Sequence, residues 1–176
     1  AQKVIDAALA ALGGRKVMEG VQTIDIAQEA SLMGMTLNFH SVYAAPNYIF
    51  SEQKTPMGSS VKKYNGEKVV VQANGKDIPV DEATAQDVIN DSWCTELLLS
   101  GGEGGNAVLS EAPATVNDAL CYELVVTLGS NEVKRYYDSK TGLCVRQSQV
   151  AQTPQGEQVI NVDFGDYQMV DGVKLP

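Results

Sequence analysis

The chain has 176 residues, a length that one domain with its own hydrophobic core can fill. It carries 13 Lys and Arg against 22 Asp and Glu, a formal net charge of −9 and a sequence pI near 4.5. That balance excludes binding of nucleic acid through clustered cations and electrostatic docking on an anionic membrane. No apolar run reaches the ~18 residues that a membrane-spanning helix needs. Ala1-Gln2-Lys3 reads as a mature or trimmed N-terminus, from which a secretory signal could have been removed.

The first element expected is a helix, because Val4, Ile5, Ala8, Leu9 and Leu12 recur at helical spacing before Gly13-Gly14 ends it. A short helical turn is expected over Lys16 to Val21. The period then changes to two. Thr23 to Ser31, Met35 to Ala44 and Tyr48 to Gln53 read as consecutive strands, with turns at Pro46-Asn47 and Thr55 to Ser59. Val61 to Tyr64 and Lys68 to Gln72 form a hairpin around Asn65-Gly66, and Asn74-Gly75 turns again. Asp81 caps one helix running to Leu99, with Ala85, Val88, Ile89, Trp93 and Leu97 on one stripe.

Gly101-Gly102-Glu103-Gly104-Gly105 follows that helix and precedes a strand at Ala107 to Glu111. The order is the reverse of a phosphate-cradling loop, which opens a helix, so a flexible surface loop is the expectation. In Leu120 to Leu128, the residues Leu120, Tyr122, Leu124, Val126 and Leu128 share one face, and Cys121, Glu123, Val125 and Thr127 the other. Packed core and ligand cavity need the same pattern, so both stay open. Val133 to Asp138, Leu143 to Ala151 and Gln158 to Phe164 complete the strands, with turns at Gly129 to Asn131 and Ser139 to Gly142. Nearly all connections are hairpin-short. The fold class expected is α+β: one large, curved antiparallel sheet with the helices in its concave face.

Chemistry has little to stand on. The single histidine, His40, sits in a strand with no nucleophile at a readable spacing. Asp163, Asp166 and Asp171 straddle a turn, where Asp caps the backbone, and are read that way rather than as cation ligands. The wide spacing of Cys94, Cys121 and Cys144 matches no zinc site. Small buried hydrophobes are the leading reading of these thiols, and one disulfide pair the alternative. No catalytic residue, metal or cofactor is therefore expected.

Several motifs recur in a fixed order: Ala11 to Gly14 closing the first helix, then Tyr64-Asn65-Gly66-Glu67, then Cys121-Tyr122-Glu123-Leu124. Tyr136-Tyr137-Asp138-Ser139-Lys140-Thr141-Gly142-Leu143 comes next, followed by Asp163 to Tyr167 and Val170-Asp171-Gly172-Val173-Lys174-Leu175-Pro176. In this order the chain resembles the LolA/LolB-like superfamily of outer-membrane lipoprotein-sorting proteins, in particular a branch of Bacteroidetes-type bacteria that also occurs behind zinc peptidase domains.

The resemblance implies an unclosed β-barrel whose mouth is covered by helices acting as a lid, over an apolar hollow that takes lipid or lipoprotein acyl chains. It also implies the periplasm or the periplasmic face of the outer membrane. The best-known carriers have a barrel-wall arginine bonded to the lid, and here the chain departs from the pattern: Arg135 and Arg146 lie in suitable strands, but no motif aligns either with it. The final strands of the family would follow Leu175-Pro176, so residues 1–176 are expected to be one such domain lacking its C-terminal strand or strands. The expected ligand-binding set is Leu120, Tyr122, Leu124 and Val126 of the hollow with Ile89 and Trp93 of the lid. The chain is thus expected to be a monomeric, non-enzymatic carrier of acyl chains, with no nucleic-acid partner. The alternative is a structural or interaction domain of a larger envelope protein, with a self-filled core and a protein partner in the envelope.

Overall fold

The computed structural model describes residues 1–32, 35–89, 91, 93–101, 105–128, 131–153 and 156–176. The chain is α+β, dominated by antiparallel sheet, with no closed barrel among the described residues. It divides into two compact units. One is Val21–Trp93; the other joins Ala1–Gly20 to Cys94–Pro176.

The Val21–Trp93 unit is a meander of six antiparallel strands: β1 (Thr23–Leu32), β2 (Met35–Ala44), β3 (Tyr48–Thr55), β4 (Gly58–Tyr64), β5 (Val69–Ala73) and β6 (Lys76–Ile78). The β5–β6 turn is the two-residue type that Asn74-Gly75 favours, with φ of 50° and 76°. Asn65-Gly66 behaves differently from the tight turn expected of that dipeptide. Tyr64 pairs with Val69 across a four-residue loop, and the Asn65 side chain accepts the N–H groups of Glu67 and Lys68. A helix, α3 (Glu82–Ile89), packs on β4 and β5. It buries Val88, while Ile49 and Val71 are buried in the sheet. Asp81 caps it by accepting the Thr84 N–H at 2.8 Å.

The other unit opens with α1 (Gln2–Leu12), which buries Val4, Ile5, Ala8 and Leu9, and α2 (Arg15–Glu19). Gly13 ends α1 with φ of 128°. After α4 (Thr95–Ser100) come β7 (Gly105–Leu109), β8 (Ala114–Val116), β9 (Ala119–Leu128), β10 (Asn131–Asp138), β11 (Cys144–Thr153) and β12 (Gly156–Asp163). These form a second antiparallel sheet in the order β12-β11-β10-β9-β7, with β8 also paired to β9. A terminal hairpin of β13 (Gln168–Val170) and β14 (Val173–Leu175) packs against α1.

Three expectations are corrected. The single large sheet is two sheets and a hairpin, because helical segments separate β6 from β7. The single helix from Asp81 to Leu99 is two, α3 and α4. Asn90 and Ser92 lie outside the described residues, and Cys94 is extended at φ −135°, ψ 95°. The strand β8 was not anticipated; Asn117-Asp118, with φ of 48° and 64°, makes its tight turn to β9. Of the glycine loop expected over residues 101–105, residues 102–104 lie outside the described residues, Gly101 caps α4 and Gly105 begins β7.

Candidate functional site

The chemistry of the second sheet gathers in one row. Antiparallel register sets Leu109 of β7 opposite Leu124 of β9, Leu124 opposite Arg135 of β10, Arg135 opposite Gln147 of β11, and Gln147 opposite Val162 of β12. Directly opposed residues share a sheet face. The row is therefore leucine, leucine, arginine, glutamine, valine, with one positive charge at its middle. The next row carries Ala107, Val126 and Val133 on that face.

Helix α4 supplies the counter-charge. Arg135 donates from Nη2 to Glu96 Oε1 at 2.9 Å and from Nη1 to Thr95 Oγ1 at 2.7 Å, so both acceptors lie in the first turn of the helix. A longer contact, 3.4 Å, runs from Nη1 to Gln147 Oε1. The Tyr137 hydroxyl donates to the same Glu96 Oε1 at 2.9 Å. Glu96 Oε2 instead faces the Cys94 thiol, at 3.6 Å. The side chains of Arg135 and Glu96 are only 12% and 5% exposed. Arg135 Nε is buried with no hydrogen-bond partner.

A break in register completes the cluster. Tyr136 pairs with Arg146, but Tyr137 pairs with Cys144, so β11 bulges at Val145. Arg146, next to Gln147, lies on the other face by alternation and pairs with Asp163, while the bulge turns the Cys144 thiol toward Arg135 and Glu96. Tyr167 closes the far side, donating to the Cys144 carbonyl at 2.7 Å.

The electrostatics follow from burial. Burial pushes the Tyr137 hydroxyl well above its ordinary pKa, and the Glu96 charge adds to it. The Cys94 thiol is pushed up to about 12 by burial and by Glu96. For Arg135, burial works to lower the pKa, but the Glu96 carboxylate together with Tyr137 and Cys144 more than offsets it, and the guanidinium stays charged. This is a charged latch between a short helix and a sheet, with thiols kept neutral around it. None of the three cysteines is in a disulfide, and all three are buried.

The residues expected to bind ligand are placed unevenly. Tyr122, Leu124 and Val126 share the face of Arg135 by register; Leu124 and Val126 are 0% exposed. Leu120 and Tyr122 are exposed, and Cys121 on the opposite face is buried. The alternation is therefore not a uniform apolar face, because α4 packs beside the Leu124 half of β9 through β7. Ile89 is exposed at the end of α3, and Trp93 is half-buried in the other unit. Glu96, Thr95 and Tyr137 were not foreseen. The available signal was an acidic residue set among Leu97, Leu98 and Leu99, together with Arg135 at the phase of Val133 and Tyr137 in β10.

A second polar place lies on the first sheet. An open pocket of about 380 Å³ is lined by Glu29, Asn38, His40, Glu52 and Lys54, among others. His40 Nε2 lies 2.8 Å from Asp25 Oδ1, and Phe50 meets the ring edge-on at 5.6 Å. Lys54 pairs with Glu52 at 2.8 Å. No group of three or more His, Cys, Asp or Glu side chains suited to a metal occurs among the described residues.

No known family model matches the chain, and no curated protein is detectably similar to it.

Proposed function

We propose that the chain is a non-enzymatic carrier domain of the LolA/LolB-like kind, holding the acyl chains of a lipid or lipoprotein in the periplasm of a Gram-negative envelope. The observation that carries this reading is the buried Arg135–Glu96 pair, which fastens α4 to a row of the sheet that is apolar but for Arg135 and Gln147. A buried ion pair gains little net free energy over apolar packing, since desolvation nearly cancels its attraction. A helix held this way is a cover that can be exchanged for another partner at small net cost. The best-known carriers of that superfamily likewise bond a barrel-wall arginine to the lid, although no motif aligns Arg135 with it. Each buried methylene of a ligand is worth about 0.8 kcal/mol, so an acyl chain needs few polar contacts.

One observation favours a second reading, a structural or interaction domain. Leu124, Val126 and Tyr137 leave no exposed surface, so the latched face is filled by the protein's own side chains.

Native mass spectrometry of protein purified from its own periplasm, with titration of a fluorescent fatty acid, separates the two. A co-purifying lipid and saturable binding are expected. Lipid-free protein that also ignores the fatty acid overturns the carrier and leaves the structural domain.

A further inference from the structure

The Arg135 guanidinium is built for more than it holds. Nε–H and Nη2–H lie on one edge of the guanidinium, the edge that takes a carboxylate through two parallel bonds. Glu96 fills half of that edge. It gives Oε1 to Nη2 and turns Oε2 toward the Cys94 thiol, and Nε is left buried without a partner. A buried donor left unpaired is costly. The Tyr137 hydroxyl, on the same face, points at the same oxygen. Three donors thus converge on the place of one carboxylate: Arg135 Nε, Arg135 Nη2 and Tyr137 Oη. Around them the row ends in exposed Leu109 and Val162, and Val126 and Val133 lie alongside.

We propose that Arg135 and Tyr137 form the head-group site for a single-chain carboxylate amphiphile, which enters by exchange with Glu96. This rests on the carrier reading and narrows its ligand to acyl chains that end in an acid. The exchange keeps one negative charge beside Arg135, so no uncompensated buried charge appears at either stage. It also gives the unpaired Nε of the guanidinium edge an acceptor. Glu96, once displaced, returns with the first turn of α4 to water, and its hydration offsets the loss of its partner.

The test compares palmitate with hexadecanol, equal in chain length, in displacing an uncharged fluorescent acyl probe. Palmitate is expected to compete on the order of 10-fold or more better, the effect of a hydrogen-bonded charge. Glu96→Gln, which removes the resident carboxylate, is expected to widen that preference. Arg135→Gln is expected to abolish it while hexadecanol still binds. Thermal melts report whether each variant folds, and the wild-type comparison decides even where one does not. Equal competition by the two ligands in the wild type overturns the head-group site but leaves the carrier. Failure of both to displace the probe, or failure of the probe itself to bind, overturns the carrier and the head-group site together.

Discussion

The carbonyl oxygen of Gly172 occupies the space that a Cβ on Gly13 would need. The C-terminal hairpin thus closes on the end of α1 by direct backbone approach. Gly13 also holds φ at 128°, a conformation that side chains rarely adopt. Gly14, at φ of 92°, has nothing within 4 Å of such a Cβ. Gly14→Ala is therefore expected to cost about 1–3 kcal/mol from backbone strain alone. Gly13→Ala should cost more, because the hairpin must also shift. Urea unfolding of the two variants checks this; equal midpoints would show that the close approach carries no weight.

Removing one partner of the latch strands the other. Glu96→Ala leaves the Arg135 charge buried and is expected to destabilise by about 3–5 kcal/mol. Replacing both partners by apolar residues, Arg135→Met with Glu96→Leu, should recover most of that loss. The measurement is a double-mutant cycle by urea denaturation. A double variant no more stable than Glu96→Ala alone would mean that the pair holds the fold together.

The thiols are expected to be inert in the folded protein. Burial raises the pKa of Cys94, Cys121 and Cys144, Cys94 to about 12, so little thiolate is present near neutral pH. An aromatic disulfide reagent at about pH 8 should label none of them in buffer and all three in urea. Fast labelling of any one in buffer would contradict the packing described around it.

Asp138 sets part of the acid limit of stability. Its carboxylate accepts the N–H groups of Thr141 at 2.7 Å and Lys140 at 2.9 Å, and these bonds hold its pKa below the ordinary carboxylate range. A carboxylate with a lowered folded pKa stabilises fully above its unfolded pKa of about 4, and that contribution is lost as pH falls below it. Asp138→Ala should therefore cost more at about pH 6 than at about pH 2.5. Urea unfolding at both values decides, and an equal cost would mean that the ionised form has no advantage in this turn.

Much of the fold was legible because it rests on local signals. Gly13-Gly14 ends α1, Asp171-Gly172 turns the last hairpin, and the period of two marks β2, β3 and β9 at nearly their observed bounds. The helix break before Cys94 was hidden, because Val88, Ile89, Trp93 and Leu97 keep a helical period across it. The candidate site was harder still. Glu96 and Arg135 stand 39 residues apart, and neither belongs to a motif. Only the strand register places Arg135 among leucines, and only a one-residue bulge turns Cys144 inward beside it.

The division of the chain has a consequence for the order in which it folds. The unit of the latch is discontinuous: Ala1–Gly20 belongs with Cys94–Pro176, and all of Val21–Trp93 lies between them. During synthesis the Val21–Trp93 meander can form from neighbouring hairpins as it emerges. Helix α1, by contrast, meets α2 early but finds most of its cover in α4 and the terminal hairpin, which are made later. Until then its apolar stripe of Val4, Ile5, Ala8 and Leu9 is without its native cover. A meander that folds early draws the two flanking segments together and shortens the loop that α1 must close, lowering the entropy cost of that late step.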